Sequence, residues 1–240
     1  IRLLIADIIS RFGDSLDAIA YSWIMYEITG SESLMAFIIG LNYIPTVLFQ
    51  PLIGAFVDKI KKKKVMVLMD VLRAFMVAVV ILLYINNLLT PIVLAVLTLV
   101  TSTVEAMRMP AGSAFLPLVL EREYYTLGKA ASYSLSRSAE LIGYVIVGGL
   151  ISLIGTIGVL GIDMITFAIS ALLISTIKDN EIVPKDKIHL QGILIGFREG
   201  MLFFKGQKAI QLVCLIGLFI NFGIMPLSVF QTPYVSDYLS

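Results

Sequence analysis

Several charged residues stand inside stretches that are otherwise apolar, and their spacing limits what chemistry they can do. Arg11, Asp14 and Asp17 interrupt the first apolar run, with Asp7 just ahead of them. At 100° per residue these four fall within about one third of a helix circumference. Glu105 and Arg108 stand three apart in a fourth run, Arg137 and Glu140 three apart in a fifth, and Asp163 stands alone early in a sixth. Each such charge opposes insertion at a helix centre by roughly 2.5–3.5 kcal/mol, so Arg11, Asp14 and Asp17 together oppose it by roughly 7–10 kcal/mol. Groups of this kind turn from lipid toward a cavity or toward one another. The three i,i+3 couples, Arg11–Asp14, Glu105–Arg108 and Arg137–Glu140, are spaced to pair along a helix. If they only pair, they fix helix rotation. If a carboxylate is in excess, it can bind a proton or a cationic solute. Asp17, whose nearest cation in sequence is Arg11, and Glu140 are the proton-site candidates. Together with Arg11, Asp14, Glu105, Arg108 and Arg137 they form a candidate proton and substrate pathway.

No catalytic constellation competes with this. Nothing pairs a nucleophile with a base. The single His189 and the single Cys214 exclude a histidine cluster, a cysteine zinc site and a disulfide framework. No catalytic residue, metal or cofactor is expected.

The elements that must carry these charges follow from composition. The 240 residues are 58% hydrophobic and 15% charged, with a mean hydropathy of +0.94. Soluble domains run at about 45–50% apolar and about 25% charged. A net charge of +1 with no basic face argues against nucleic acid as a partner. The lipid bilayer is the expected surrounding. Seven apolar runs are long enough to span it as helices: 3–25, 34–57, 65–85, 92–109, 130–153, 157–177 and 209–229. Short connections separate most of them, and two longer ones lie near 110–129 and 178–208. The expected organisation is a six-helix half over 1–177, a linker with an amphipathic surface helix over 178–208, and the first helix of a truncated second half over 209–240.

Lysine and arginine fix the orientation. Lys59, Lys61, Lys62, Lys63 and Lys64, then Arg122 and Lys129, then Lys178, Lys185 and Lys187, mark one set of loops. The alternate loops, 27–33, 86–91, 155–156 and 230–240, carry none. The positive-inside rule then places the N-terminus in the cytoplasm, in a multi-pass protein of the plasma membrane. Arg11, Asp14 and Asp17 break what would be the apolar core of a signal peptide. Both ends read as cut, since the chain opens on Ile1 at the edge of a span and stops just beyond the seventh. A fragment or part of a longer protein is expected.

Small residues suggest close helix approach: Ala130, Ser134 and Ser138, then Gly143, Gly148 and Gly149. Asn42 and Gln50 suit a cavity wall or interhelical hydrogen bonds. Pro45, Pro51 and Pro226 fall inside spans, where kinks are tolerated.

The most specific local pattern is Gly54-x-x-x-Asp58-Lys59-x-Lys61-Lys62-Lys63-Lys64 between the second and third spans. It resembles the signature loop of the major facilitator superfamily, with Lys61 where glycine is usual. Arg11-Phe12-Gly13-Asp14, Tyr26-Glu27-Ile28-Thr29-Gly30-Ser31, Asp70-x-x-Arg73, Arg108-x-Pro110-Ala111 and Asp163-x-x-Thr166-Phe167 are similar, in order and spacing, to the drug-efflux branch that includes macrolide and siderophore exporters. Exporters of the superfamily often carry G-P-x-x-G-G in the fifth helix, whereas Gly143 here precedes Tyr144.

The resemblance implies an all-α, major-facilitator-like bundle, its first six-helix half plus a seventh helix. It implies alternating access between two halves about a midplane site. Gly54, Asp58, Lys59, Lys62, Lys63, Asp70 and Arg73 would form the gating set. The implied activity is efflux of hydrophobic or amphipathic small molecules coupled to protons, by a chain partnered with the missing C-terminal half. Tyr21, Trp23, Tyr43, Phe115 and Tyr144 would suit such cargo. Import of a sugar or organic acid is the alternative within the class. A seven-helix receptor is the alternative outside it, although 209–229 holds no lysine for a retinal linkage.

Overall fold

The computed structural model describes residues 1–57, 60–178 and 201–220, with the side chains of 49–56 left aside. The described residues contain helices and no strand. Two compact units divide the chain, Ile1–Ile188 and His189–Ser240.

The first unit is an alternating helical bundle. Helix α1 (Arg2–Thr29) ends on Gly30 in the left-handed conformation (φ 64°), whose N–H returns to the Tyr26 carbonyl at 2.7 Å. That closure turns the chain into α2 (Glu32–Val57) within two residues. Helix α3 spans Lys62–Ile85. Helix α4 (Pro91–Val119) has a built start: Pro91 fits the first turn, and the Thr90 hydroxyl accepts the Val93 N–H at 3.3 Å. A short 3-10 turn, Arg122–Tyr124, leads into a helical stretch over Tyr125–Ser175. Gly155 breaks that stretch with φ 72° and ψ 167°, which divides it into α5 (125–154) and α6 (156–175). Only glycine takes that conformation without strain.

Two expectations change. The fourth span was expected to stop near 109, with a long connection to 129. The helix instead runs through Pro110 and Pro117 to Val119. Ala111 and Phe115, both fully buried, anchor the extra turns against α3 residues Met66 and Met69. That burial outweighs the hydrogen bond each proline removes. The fifth helix likewise begins at Tyr125 rather than 130.

Three described stretches are long and apolar enough to cross a membrane: Lys62–Ile85, Pro91–Val119 and Arg122–Ser175. Helix α1 is as long but carries the charges already noted. Large apolar side chains such as Val47, Leu82, Ile92 and Val145 point outward. Such a surface suits lipid and not water. The chain is a multi-pass membrane protein.

The bundle is layered along its height. One apolar cluster gathers Leu16, Ile24, Ile38, Val77, Leu94, Leu160 and their neighbours. A second gathers Leu3, Met66, Ala106, Phe115 and Ile174. On α1 and α3 the charged residues Asp7, Arg11, Asp14, Asp70 and Arg73 fall in sequence between the members of the two clusters, whereas Arg108 stands among the residues of the second and Asp163 among those of the first. The two ends also differ. At one end, Arg2 donates to the Thr176 carbonyl at 3.1 Å and Lys63 to that of Ile177 at 2.6 Å, which joins the starts of α1 and α3 to the end of α6. At the other, lysine-free end, Glu27 accepts from Trp23, Tyr84 and Thr156, at 2.8, 2.5 and 3.3 Å. That carboxylate ties α1, α3 and α6 together.

In the second unit, helices cover 201–206 and Lys208–Ile220. The Gln211 amide donates to the carbonyls of Phe204 and Lys205, both at 2.8 Å, and so caps the first helix. The rest of the expected surface helix, 179–200, and the end of the seventh span lie outside the described residues.

Candidate ion-pair belt and family

Helix α1 turns the stripe Asp7, Arg11, Asp14 and Asp17 inward, as its angular spacing requires. Two of its members, Asp14 and Asp17, meet α3. Arg73, fully buried, pairs through Nη2 with Asp14 and with Asp17, the latter at 3.5 Å. Arg11 pairs with Asp14 at 2.8 Å and with Glu105 of α4 at 3.2 Å. Phe167 of α6 lies flat beneath Arg73, with the guanidinium carbon 3.9 Å from the ring centre. A cation over an aromatic face gains electrostatic attraction in a desolvated site.

A second group lies toward the lysine-rich end. Arg108 of α4 donates from Nε to Asp70 at 2.9 Å and from Nη1 to Asp7 at 2.8 Å. Ser170 of α6 donates to the other Asp70 oxygen at 2.6 Å, and Ser132 of α5 reaches Asp7 at 3.4 Å. A cavity of about 130 Å³ opens beside it, lined by Asp7, Arg11, Arg108, Lys129 and Ser132 together with Met109, Leu116 and Tyr133. Five helices thus contribute to a polar belt.

The belt redistributes the residues that sequence spacing grouped. Arg11–Asp14 pairs as expected. Glu105 and Arg108 do not pair with each other: Glu105 serves Arg11, while Arg108 serves Asp70 and Asp7. Their shared helix face lies between α1 and α3, which offer partners with better geometry than an i,i+3 neighbour. Asp17, a proton-site candidate whose nearest cation in sequence is Arg11, is met by Arg73. Asp70 and Arg73, grouped with the signature loop, are instead buried in the belt, each in a different ion group. Arg137 and Glu140 pair at 2.7 Å, yet the Arg137 side chain is 48% exposed and the pair does not join the belt.

Of the loop residues, Lys62 and Lys63 head α3, and Gly54 lies within α2. Asp58 and Lys59 lie outside the described residues. Asn42 bonds Ser102, which settles it as an α2–α4 link; the Gln50 side chain is outside the description. Of the aromatic residues, Tyr21 and Phe115 are buried in the apolar clusters. Trp23, Tyr43 and Tyr144 are exposed.

Sequence spacing gave no role to Phe167 or Ser170, and it left Asp163 without a partner. One signal was present. Asp163, Thr166, Phe167, Ser170 and Ile174 recur at three- and four-residue steps, so one face of α6 carries a carboxylate, two hydroxyls and a ring. All five are buried.

The model of the family described as transmembrane secretion effector matches residues 1–231. The multidrug efflux pump Tap of Mycobacterium tuberculosis is 24% identical over 98% of this chain and 58% of its own length. Macrolide efflux protein A of Streptococcus pyogenes is 23% identical over 97% of this chain and 57% of its own. The uncharacterized MFS-type transporter YkuC of Bacillus subtilis is 25% identical over 98% and 56%. The chain therefore spans somewhat more than half the length of these relatives. No solved structure matches. A helical bundle with a buried ion belt, matched along nearly its whole length by one family, places the chain in the transmembrane secretion effector family of the major facilitator superfamily.

Proposed function

We propose that the full-length protein is a secondary active exporter of hydrophobic or amphipathic small molecules, driven by coupled proton movement. The relatives named as a multidrug efflux pump and a macrolide efflux protein support efflux. The observation that carries proton coupling is the charge balance of the belt. Among the described residues, three arginines, Arg11, Arg73 and Arg108, with Lys129 in the wall of the adjoining cavity, face six carboxylates: Asp7, Asp14, Asp17, Asp70, Glu105 and Asp163. A buried layer with unmatched negative charge is costly unless something neutralises it. A proton is the smallest counter-charge, and it can leave when the helices rearrange. A belt shared among helices of one bundle also gives that bundle alternative pairings to move between, as alternating access requires.

In this reading the second bundle of the transporter faces the first across the substrate path. The lysine-rich end lies in the cytoplasm, with the N-terminus beside it, and Asp58 helps hold one conformation by contact with the second bundle. Accumulation of a fluorescent amphipathic dye by inside-out vesicles, with and without an imposed pH gradient, tests the proposal. Uptake that rises with the gradient supports it. Uptake independent of pH would sink proton coupling, and uptake only into right-side-out vesicles would indicate import.

A further inference from the structure

Asp163 is fully buried, and neither of its carboxylate oxygens has a hydrogen-bond partner among the described residues. No ion pair reaches it among the described residues. Its Oδ1 is pressed against α1, where a Cβ added to Gly13 would lie 2.7 Å away. The charged groups acting on it are Asp14 and Asp17 of α1 and Arg73 of α3; the neutral phenol of Tyr21, also on α1, is nearby.

Arg73 is equally incomplete. Its Nη2 is used by Asp14 and Asp17, while Nε and Nη1 are buried with no acceptor. Two spare donors thus sit near two spare acceptors. Arg73 stacks on the ring of Phe167, one helical turn from Asp163 on the same face of α6, and a guanidinium can turn over an aromatic face while keeping that contact.

We propose that Asp163 is the residue that binds and releases the transported proton, and that Arg73 is its switch. This rests on the proton-coupled reading above. With Arg73 held by Asp14 and Asp17, Asp163 has no counter-charge, and an ionised carboxylate there is far more costly than a carboxylic acid. Asp163 therefore carries the proton on one oxygen. When Arg73 turns its free Nε and Nη1 toward Asp163, the O–H bond breaks, the proton passes to water in the opened path, and the carboxylate left behind pairs with the guanidinium. Asp14, still paired with Arg11, tolerates the loss of Arg73, and the Asp17 carboxylate is hydrated by the same opened path. Return of Arg73 to Asp14 and Asp17 strands the Asp163 carboxylate, which takes up a proton from the other side.

The test uses the full-length protein reconstituted in liposomes. Infrared spectra at neutral pH are expected to show a protonated-carboxyl stretch that is lost in Asp163→Asn, retained in Asp17→Asn and moved in frequency in Asp163→Glu. Gradient-driven dye accumulation is expected to disappear in Asp163→Asn and to persist in Asp163→Glu, which keeps the titrating group if the asparagine variant folds poorly. A carboxyl band that survives Asp163→Asn, or is unmoved in Asp163→Glu, overturns the assignment. So does gradient-driven accumulation in Asp163→Asn equal to the wild type. Wild-type accumulation indifferent to the gradient instead removes the proton-coupled reading, and the transport role of Asp163 falls with it.

Discussion

Arg73→Gln offers the sharpest test of the belt as a structural device. The wild-type guanidinium is fully buried and serves Asp14 and Asp17, the second at 3.5 Å. At an effective dielectric of about 20, a charge pair at that separation is worth about 5 kcal/mol. Desolvation of three ions offsets most of this, so the net value of the intact group is small. Removing one partner is different, because Asp14 keeps Arg11 but Asp17 is left buried without a cation, at a cost of about 3–5 kcal/mol. Loss of the Phe167 stacking adds to it. The measurement is reversible unfolding of the purified full-length protein in mixed micelles, with Arg122→Gln in the exposed 3-10 turn as control. Surface changes of that kind stay within about 0.5 kcal/mol. Adding Asp14→Asn and Asp17→Asn to Arg73→Gln is expected to recover most of the loss, since no uncompensated charge then remains at the site. If Arg73→Gln costs no more than the control, or the triple variant is as unstable as the single one, the charge-compensation reasoning is wrong.

Three further outcomes follow from the geometry. Gly13→Ala places a methyl group against Thr166 and Asp163, so α1 and α6 must separate, at a cost of about 1–3 kcal/mol; unfolding shows it, and a neutral result would mean the crossing is looser than described. Gly155→Ala puts a Cβ into an extended positive-φ conformation that only glycine adopts freely, with nothing near it, so it is expected to cost about 1–3 kcal/mol through strain alone; a loss several times larger would mean that side chains pack there. In a Cys214→Ser background, Asn86→Cys is expected to react with a membrane-impermeant maleimide in intact cells, and Arg122→Cys only after permeabilisation. The reverse labelling would invert the proposed orientation.

Much of this protein is legible one helix at a time. The apolar runs, the inward stripe of α1, the turn at Gly155 and the lysine asymmetry depend on periodicity and composition, which are local properties. The sequence also showed that charges would be buried. It did not show which would meet. Spacing along one helix favours i,i+3 partners, so Glu105–Arg108 was the natural pair; burial between α1 and α3 sent Arg108 to Asp7 and Asp70 and Glu105 to Arg11. Asp70-x-x-Arg73 read as part of a loop signature, because neither residue's partner is near it in sequence. The end of α4 was misplaced for the same reason: proline is a local stop signal, and only the burial of Ala111 and Phe115 against α3 overrides it.

The sequence by itself determined that this chain is a helical membrane protein with charge inside it, because the cost of apolar and charged groups in water and lipid is additive along the chain. Tertiary structure alone decided which charges cancel. Ion pairing depends on separations of a few ångströms between residues far apart in sequence, as between Asp17 and Arg73. Among the described residues it left Asp163 as a buried carboxylate with no hydrogen-bond partner.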